Sequence, residues 1–318
     1  MSKVNIALIG HGFLGKWHLE KALSSSYVNR VIIIESDFKT REKISETYTK
    51  IDVFELLDEC LNLFDAALVV TPTSTHFEIS KKLLLHGKHV FCEKPLAMNS
   101  LEAKELTTLA KKNKRILQVG HSERCHDIFK KLLSSELRAY FSNPTQVTFK
   151  RIAPFKGRAL DVGVVEDLSI HDIDLLSYLF DERPSSYQSF GKKWMTDNWD
   201  HVEASGKLKA GGEVCFIASR YAVKEEREIE IIHDLGIMNI DLMNFEVSWT
   251  CKDQQELGVQ KKNYLKKDHL AIEQEYFYQS ILTGKDIFVD GAAGANAVLQ
   301  VELIHHSLED SSYAKKNK

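Results

Sequence analysis

Cysteine is scarce in this sequence and is not arranged for metal binding. The 318 residues hold five cysteines, an odd number, and no two of them form a C-x-x-C pair. Scattered cysteines of this kind argue against a disulfide framework and a zinc site, and they are typical of a reducing compartment. We therefore predict a cytoplasmic protein without a bound metal.

The sequence also lacks long apolar runs and a large excess of charge of either sign. No apolar run approaches the roughly 18 residues that a membrane-spanning helix needs. The first run, Val4–Ile9, is too short for the core of a signal peptide. The formal net charge of −3 creates no strong field toward nucleic acid or an anionic membrane. We therefore predict a small molecule as the partner, with no nucleic acid and no membrane.

A strand–helix alternation is present over residues 1–122. Its short apolar runs are typical of strands buried on both faces, and helical patterns separate them. This order predicts an α/β fold that begins with a Rossmann domain, whose sheet is parallel and doubly wound. The predicted strands are Val4–Ile9, Val31–Glu35, Lys50–Val53, Ala66–Val70, Lys88–Cys92 and Arg115–Gly120.

The pattern changes over residues 123–318. Short strands joined by turns predict a C-terminal α/β domain with an open, mostly antiparallel sheet. Helices are expected at 125–133 and 168–179, and two more, at 268–282 and 294–309, close this domain. The predicted strands are Thr145–Ile152, Tyr187–Gly191, Glu203–Leu208, Glu213–Ser219, Glu228–His233, Gly236–Asp241 and Glu246–Thr250.

Gly10, Gly12 and Gly15 fit the pattern G-x-G-x-x-G, directly after the first strand. The first glycine permits a tight turn, the second lets a pyrophosphate approach, and the third lets the helix pack on the strand. The helix then begins with Phe13 and Leu14, and its N-terminus attracts phosphate. We predict dinucleotide binding here, and a purely structural glycine turn is the alternative.

Glu35 ends the second predicted strand. A carboxylate at this place accepts hydrogen bonds from ribose hydroxyls and repels the 2′-phosphate of NADP. Ser36 and Asp37 follow it, rather than an arginine. The predicted cofactor is therefore NAD, and a solvent-facing carboxylate is the alternative reading of Glu35.

Two further segments follow strands at the edge where open α/β sheets bind ligands. One contains Thr71, Pro72 and His76, and the other contains Glu93 and Lys94. We predict that all five contact the cofactor. The proline after Lys94 disfavours helical geometry, and we expect the ammonium to reach into the cleft rather than to be an ordinary surface charge.

Asp167, His171 and Asp174 combine a histidine with two carboxylates. On a helix, spacings of four and three place them on one face. A histidine beside a carboxylate can act as a general base near neutral pH. A histidine satisfied within the core is the alternative.

These motifs, in this order, resemble the Gfo/Idh/MocA oxidoreductase family. The resemblance rests on the glycine motif with His18, on Thr71-Pro72 with His76, on Gly87 to Pro95 (GKHVFCEKP), and on Asp167-x-x-x-His171-x-x-Asp174. It implies a Rossmann domain followed by an α/β domain whose open sheet often mediates oligomerisation, and hence a homodimer or homotetramer. It also implies hydride transfer between a sugar or cyclitol hydroxyl carbon and C4 of nicotinamide.

The stretch from Arg151 to Leu168 is similar to a narrower subgroup of that family, the UDP-N-acetylglucosamine 3-dehydrogenase-like members. It reads RIAPF, then RALDVGVVEDL, with Ala153 where glycine is common. The subgroup implies a UDP-linked N-acetylhexosamine oxidised at C3. Arg151 and Arg158 are then candidates for binding the diphosphate, since a guanidinium binds phosphate oxygens as a fork.

The resemblance and the local chemistry together indicate a mechanism. His171 would remove the hydroxyl proton, Lys94 would stabilise the negative charge that develops on the oxygen, and Asp167 would orient His171 or the sugar. Three alternatives remain open: an inositol or free-sugar dehydrogenase, a reductase running in the opposite direction, and a catalytically silent NAD(H)-sensing regulator. Lys94 and His171 argue against the regulator, because a sensor needs neither.

Overall fold

The computed structural model describes residues 2–157, 162–250 and 258–316, with side chains described as far as residue 310. The chain divides into two compact units. The first unit is Met1–Ser122 with Asp268–Val298, and the second unit is Glu123–Lys267 with Leu299–Lys318.

The first unit contains a six-stranded, all-parallel sheet in the order β3-β2-β1-β4-β5-β6. The predicted doubly wound Rossmann sheet is therefore confirmed. Every residue of β4 is buried, as expected for a strand covered on both faces. The strands are β1 (Val4–Ile9), β2 (Val28–Ile34), β3 (Asp52–Phe54), β4 (Ala66–Val69), β5 (His89–Glu93) and β6 (Leu117–Gly120).

Four helices connect these strands: α1 (Phe13–Ser24), α2 (Phe38–Thr47), α3 (Thr73–Leu85) and α4 (Ser100–Lys112). The side chains of Asp37 and Asn99 cap α2 and α4 by accepting from backbone N–H groups. Between β3 and β4 the chain forms two short 3-10 turns, Leu57–Glu59 and Leu61–Leu63, in place of a fifth helix. Cys60 separates the turns with φ −133°, outside the helical range.

Helix α7 (His269–Thr283) and the start of α8 (Gly291–Lys316) belong to the first unit, which corrects the predicted domain 123–318. Gln118 of β6 donates to the backbone oxygen of Glu273 at 2.8 Å, and Val119 N donates to Val289 O at 3.0 Å. Phe277 of α7 is buried in the core on one face of the sheet. The first of these contacts joins residues 155 positions apart, so no local pattern predicts it.

The second unit contains an eight-stranded sheet in the order β14-β13-β12-β11-β7-β10-β9-β8. Only β7 and β10 pair in parallel among its described strands, so the predicted open, mostly antiparallel sheet is confirmed. β14 was not predicted, because its four residues are polar and exposed. The strands are β7 (Gln146–Ile152), β8 (Gln188–Lys192), β9 (His201–Lys207), β10 (Glu213–Ser219), β11 (Glu226–His233), β12 (Gly236–Asp241), β13 (Glu246–Trp249) and β14 (Gln260–Asn263).

Helices α5 (Asp127–Leu133) and α6 (Ile170–Phe180) accompany this sheet. Val147 and Phe149 alternate on the buried face of β7, as a half-buried strand requires. A π-helical turn, Val165–Ser169, leads directly into α6. Across the described part of the chain, every helix is too short or too polar to span a bilayer.

Candidate active site

The glycine motif forms the connection between β1 and α1. A side chain at Gly10 would lie 2.7 Å from the carbonyl oxygen of Val70, and Gly10 has φ +90°, so glycine is required. A side chain at Gly15 would collide with the Gly10 carbonyl, so α1 packs closely on this loop. Beside Gly12 nothing lies within 4 Å, which leaves the backbone open to a pyrophosphate.

The N-terminus of α1 begins at this open space. Its N-cap residue is Gly12, which forms no side-chain cap, and Phe13 and Leu14 in the first turn are exposed. The N–H groups and the dipole of a helix N-terminus attract phosphate. The loop and the helix therefore fit a dinucleotide.

The carboxylate of Glu35, next after β2, is bonded to two backbone N–H groups. Oε2 accepts from His11 N at 2.8 Å, and Oε1 accepts from Asp37 N at 3.0 Å. These bonds hold the carboxylate in one orientation and leave each oxygen a lone pair for a hydroxyl donor. The arrangement suits the predicted contact with ribose, which stays a prediction.

Arg41 lies close to the backbone of Glu35, although no arginine follows Glu35 directly. Its guanidinium donates to the carbonyl oxygens of Glu35 and Ser36 at 2.8 and 2.7 Å. It also pairs with Glu55 at 2.7 Å. Because three oxygens already hold this guanidinium, its presence does not by itself favour a 2′-phosphate.

His76 joins the segment after β4 to the segment after β5. Its buried ring lies between two carbonyl oxygens, with Nδ1 2.7 Å from Pro95 O and Nε2 2.8 Å from Thr71 O. Carbonyl oxygens only accept, so both nitrogens carry a proton. Burial opposes this charge, but Cys92 and the two carbonyls outweigh it and raise the pKa of His76 to about 9.

This geometry revises the predicted role of His76. The ring is 1% exposed, so it holds the two loops together rather than contacting a cofactor directly. Thr71 and Pro72 lie immediately before the first turn of α3 and remain candidates for that contact.

Lys94 follows β5 directly, and its backbone is held by the carboxylate before it. Glu93 is buried, its Oε1 lies 2.8 Å from His18 Nε2, and its Oε2 accepts from Lys94 N at 3.1 Å. Burial works to raise the pKa of Glu93, but His18 and Lys94 outweigh it and lower the pKa below its ordinary value. Glu93 therefore orients the Lys94 peptide, and its predicted direct contact with the cofactor stays a prediction.

His18, Glu93 and Glu273 bring potential metal-ligand atoms within 4.8 Å of one another. Both ring nitrogens of His18 are already hydrogen-bonded, Nε2 to Glu93 and Nδ1 to Gln274 at 2.9 Å. A metal would need one of those lone pairs. The group is therefore better described as a hydrogen-bonded network than as a metal centre.

Asp167 and His171 lie where α6 begins in the second unit. Asp167 belongs to the π-helical turn, and His171 is the second residue of α6. The sequence pattern had placed both on an α-helix, whereas a π-turn is wider and is frequent at functional sites. Both side chains are partly exposed, so each can reach a ligand at the surface of this unit.

Two buried ion pairs anchor α6. Arg151 of β7 bonds Asp172 through Nε and Nη2, the shortest distance being 2.7 Å, and it bonds Glu123 at 3.0 Å. Arg124 bonds both oxygens of Asp174 at 2.6 and 2.7 Å. Asp174 is therefore an anchor of the helix, although it was predicted to share the face of His171.

The two arginines predicted to bind a diphosphate have different outcomes. Arg151 is buried and bonded to two carboxylates, so its guanidinium is an internal ion-pairing group rather than a surface fork for phosphate. Arg158 lies outside the described residues.

Three further residues were not predicted to matter. His11 is buried in the glycine loop, and burial together with the charge of Lys16 lowers its pKa. Glu123 and Gln274 reach the site residues only through contacts with distant parts of the chain. No local sequence pattern indicates Glu123 or Gln274, and His11 is indicated only by its place inside the glycine motif.

Comparison with known families identifies the chain. A family described as an oxidoreductase family with an NAD-binding Rossmann fold, Gfo/Idh/MocA, matches residues 4–121. The Gfo/Idh/MocA C-terminal domain matches residues 134–239. The protein belongs to the Gfo/Idh/MocA family. It is therefore an oxidoreductase, and its first unit carries the NAD-binding Rossmann fold of that family.

Individual Gfo/Idh/MocA proteins are similar over almost the whole chain. UDP-N-acetylglucosamine 3-dehydrogenase of Acidithiobacillus ferrooxidans is 30% identical over 95% of this chain and 97% of its own. Myo-inositol 2-dehydrogenase of Thermotoga maritima is 26% identical over 98% of both chains. The solved structure of the Acidithiobacillus enzyme has a TM-score of 0.87 at 28% identity, covering 98% of this chain and 99% of its own.

Proposed function

We propose that this protein is an NAD-dependent dehydrogenase that oxidises C3 of the sugar in a UDP-linked N-acetylhexosamine. The observation that carries this proposal is the likeness to a UDP-N-acetylglucosamine 3-dehydrogenase, which extends over 95% of this chain and 97% of that one. A likeness of that extent includes the regions that bind substrate as well as the Rossmann fold.

The proposed chemistry divides two tasks between Lys94 and His171. Bound NAD supplies the acceptor for the hydride, so the protein must manage one proton and the negative charge that develops on the hydroxyl oxygen. His171 takes the proton as general base. Lys94 stabilises the oxygen through its ammonium group. Asp167 orients His171 or the sugar ring.

The surroundings of His171 support its role as a base. Burial works to raise the pKa of Glu123, but Arg151, His126 and His171 outweigh it and hold that pKa well below its usual value. Glu123 is therefore a carboxylate, and its charge stabilises the imidazolium that forms when His171 takes a proton. The buried ion pairs of Asp172 and Asp174 fix the helix that carries the ring.

NAD rather than NADP is supported by the fixed carboxylate of Glu35. It can accept from ribose hydroxyls, and its charge opposes a 2′-phosphate. The neighbouring Arg41 is held by Glu35 O, Ser36 O and Glu55. The Glu35 carboxylate is therefore the charged group that remains able to distinguish NAD from NADP.

A homodimer or homotetramer is part of the proposal. It is supported by the eight-stranded sheet, where one face of β7 and β9 is only partly covered within the second unit. Light scattering of the purified protein measures the mass. A monomer at micromolar concentration would contradict this part alone.

The test of the substrate is NADH formation with a panel of sugars. UDP-N-acetylglucosamine is expected to be turned over far better than free N-acetylglucosamine or myo-inositol. Substrate deuterated at C3 is expected to transfer its deuterium to NAD and so give deuterated NADH, and substrate deuterated at C4 is not.

Other outcomes of that panel contradict the proposal in distinguishable ways. Preferred turnover of myo-inositol would favour an inositol dehydrogenase, the activity named for the Thermotoga relative. Oxidation of NADH by a ketone substrate without the reverse reaction would favour a reductase. NAD binding without any turnover would favour a sensing regulator.

A further inference from the structure

A row of buried side chains in the first unit ends at the backbone of Lys94. Tyr278 Oη donates to Gln274 Oε1 at 2.8 Å, and Gln274 Nε2 lies 2.9 Å from His18 Nδ1. His18 Nε2 then lies 2.8 Å from Glu93 Oε1. The four residues are buried, so each hydrogen bond between them needs a defined donor and a defined acceptor.

The carboxamide of Gln274 has one acceptable orientation. Its Nε2 also lies 3.2 Å from the backbone carbonyl oxygen of His18. A carbonyl only accepts, so the amide nitrogen must face it, and the flipped amide would set two oxygens against each other. Tyr278 provides the matching donor on the other side, because burial raises its pKa and keeps the phenol protonated.

The orientation of Gln274 decides which ring nitrogen of His18 carries the proton. One N–H of the amide is used by the carbonyl of His18, and the other points to Nδ1. Nδ1 must therefore accept, since a proton there would bring two donors together. The proton lies on Nε2 and is donated to Glu93.

Glu93 connects the His18 ring to the backbone of Lys94. Its second oxygen accepts from the Lys94 backbone N–H at 3.1 Å. On the neighbouring strand, a side chain at Gly120 would lie 2.8 Å from Glu93 Oε1, so the carboxylate fills the space on that side. A close-packed carboxylate with a donor on each oxygen keeps the Lys94 peptide in one position.

We propose that Gln274 and His18 are positioning residues for Lys94. Gln274 fixes His18 as the neutral tautomer protonated on Nε2, and His18 holds the carboxylate that orients the Lys94 peptide. This inference rests on the proposed function, because it gives Lys94 a role in the reaction. It assigns helix α7 a part in the site, through a contact between residues 256 positions apart.

The first measurement is the protonation of the His18 ring by nitrogen NMR, with its signals assigned by their loss in His18→Gln. The native ring is expected to carry a proton on Nε2 and none on Nδ1. Gln274→Glu replaces the amide donor with a carboxylate acceptor. In this variant, Nδ1 of His18 is expected to gain a proton. A native ring protonated on Nδ1 would overturn the inference.

The second measurement is steady-state kinetics. Gln274→Glu is expected to lower kcat by about 10- to 100-fold, as is typical when a bond that orients a functional group is lost. The KM for NAD should change little. His18→Gln keeps a donor for Glu93 and should retain more of kcat than His18→Leu, which a purely structural role would not require.

Ser280→Ala is the matched control on the same helix. Ser280 is buried and bonds the carbonyl oxygens of Tyr276 and Asp286, at 2.9 and 3.2 Å. Its loss removes buried hydrogen bonds without touching the row, so kcat should stay native. If His18→Leu does not fold, Gln274→Glu and Tyr278→Phe carry the comparison.

The outcomes separate this inference from the proposed function. If Gln274→Glu has the same kcat as Ser280→Ala while Lys94→Ala is inactive, the positioning role is wrong and the proposed function stands. If Lys94→Ala keeps native turnover, the proposed function fails, and the positioning role fails with it whatever the tautomer.

Discussion

Arg151 and Asp172 form a buried, two-pronged ion pair, with Nη2 2.7 Å from Oδ1. Both side chains come from regular elements of the second unit, one from β7 and one from α6. Glu123 adds a second carboxylate to the same guanidinium at 3.0 Å. The pair therefore ties the helix that carries His171 to the sheet beneath it.

Arg151→Met should destabilise the protein strongly, because it leaves Asp172 buried without the guanidinium it is bonded to and removes one of the cations beside buried Glu123. The expected loss of unfolding free energy is about 3–5 kcal/mol, measured by urea unfolding. Glu213→Gln, which breaks the exposed pair with Lys207, is the control and should change stability by less than about 1 kcal/mol. Native stability of Arg151→Met with a selective loss of UDP-sugar turnover would restore the diphosphate role.

Arg151 illustrates a kind of contact that could not be predicted from the sequence. The glycine motif could be interpreted from sequence because its spacing lies within six residues that directly follow a strand, although the contact of Gly10 with Val70 is distant in the chain. The burial of Arg151 depends on Asp172 and Glu123, and neither spacing nor composition pairs them. Helix α7 was assigned to the second domain for the same reason, because its hydrogen-bond partners on β6 and α1 lie far away in the chain.

Glu35→Gln should shift cofactor preference toward NADP. The amide keeps the size of the side chain but loses the charge that opposes the 2′-phosphate and one acceptor for the ribose hydroxyls. The ratio of kcat/KM for NAD over NADP should fall by about 10-fold or more, the value of one charged hydrogen bond. Glu55→Gln, which changes only the partner of Arg41, is the control and should keep the native ratio. An unchanged ratio in Glu35→Gln would remove this residue from cofactor selection.

The charge on His76 should make stability depend on pH. The pKa of His76 in the folded protein, about 9, lies above the ordinary 6.5. The contribution of its charge to the free energy of unfolding is therefore fully present below about pH 6.5 and is lost as the pH rises through 9. That difference corresponds to about 3 kcal/mol. Urea unfolding at pH 6.5 and 9.5 should show this decline in the native protein and much less of it in His76→Gln. His86→Gln, which changes an exposed histidine at the end of α3, should behave like the native protein.

His171→Ala should lower kcat by at least about 100-fold, the contribution of a general base. NAD binding should survive, because the Rossmann fold is a separate unit. The control is His306→Ala, which removes an exposed histidine from α8. If kcat stayed native in His171→Ala while the KM for the sugar rose, His171 would be a binding group rather than the base.

Lys94→Met should also lower kcat by at least about 100-fold, since it removes the positive charge that stabilises the developing oxyanion. It should lower kcat and kcat/KM together, because the interaction is strongest in the transition state. Lys94→Arg keeps the charge in a different shape and should recover only part of the loss. Lys88→Met, which removes a lysine bonded to the carbonyl of Phe64 just before β5, is the matched control. The melting temperature of Lys94→Met verifies that the variant is folded. If its kcat were native, another group would stabilise the charge on the reacting oxygen, and Lys94 would have no part in the mechanism.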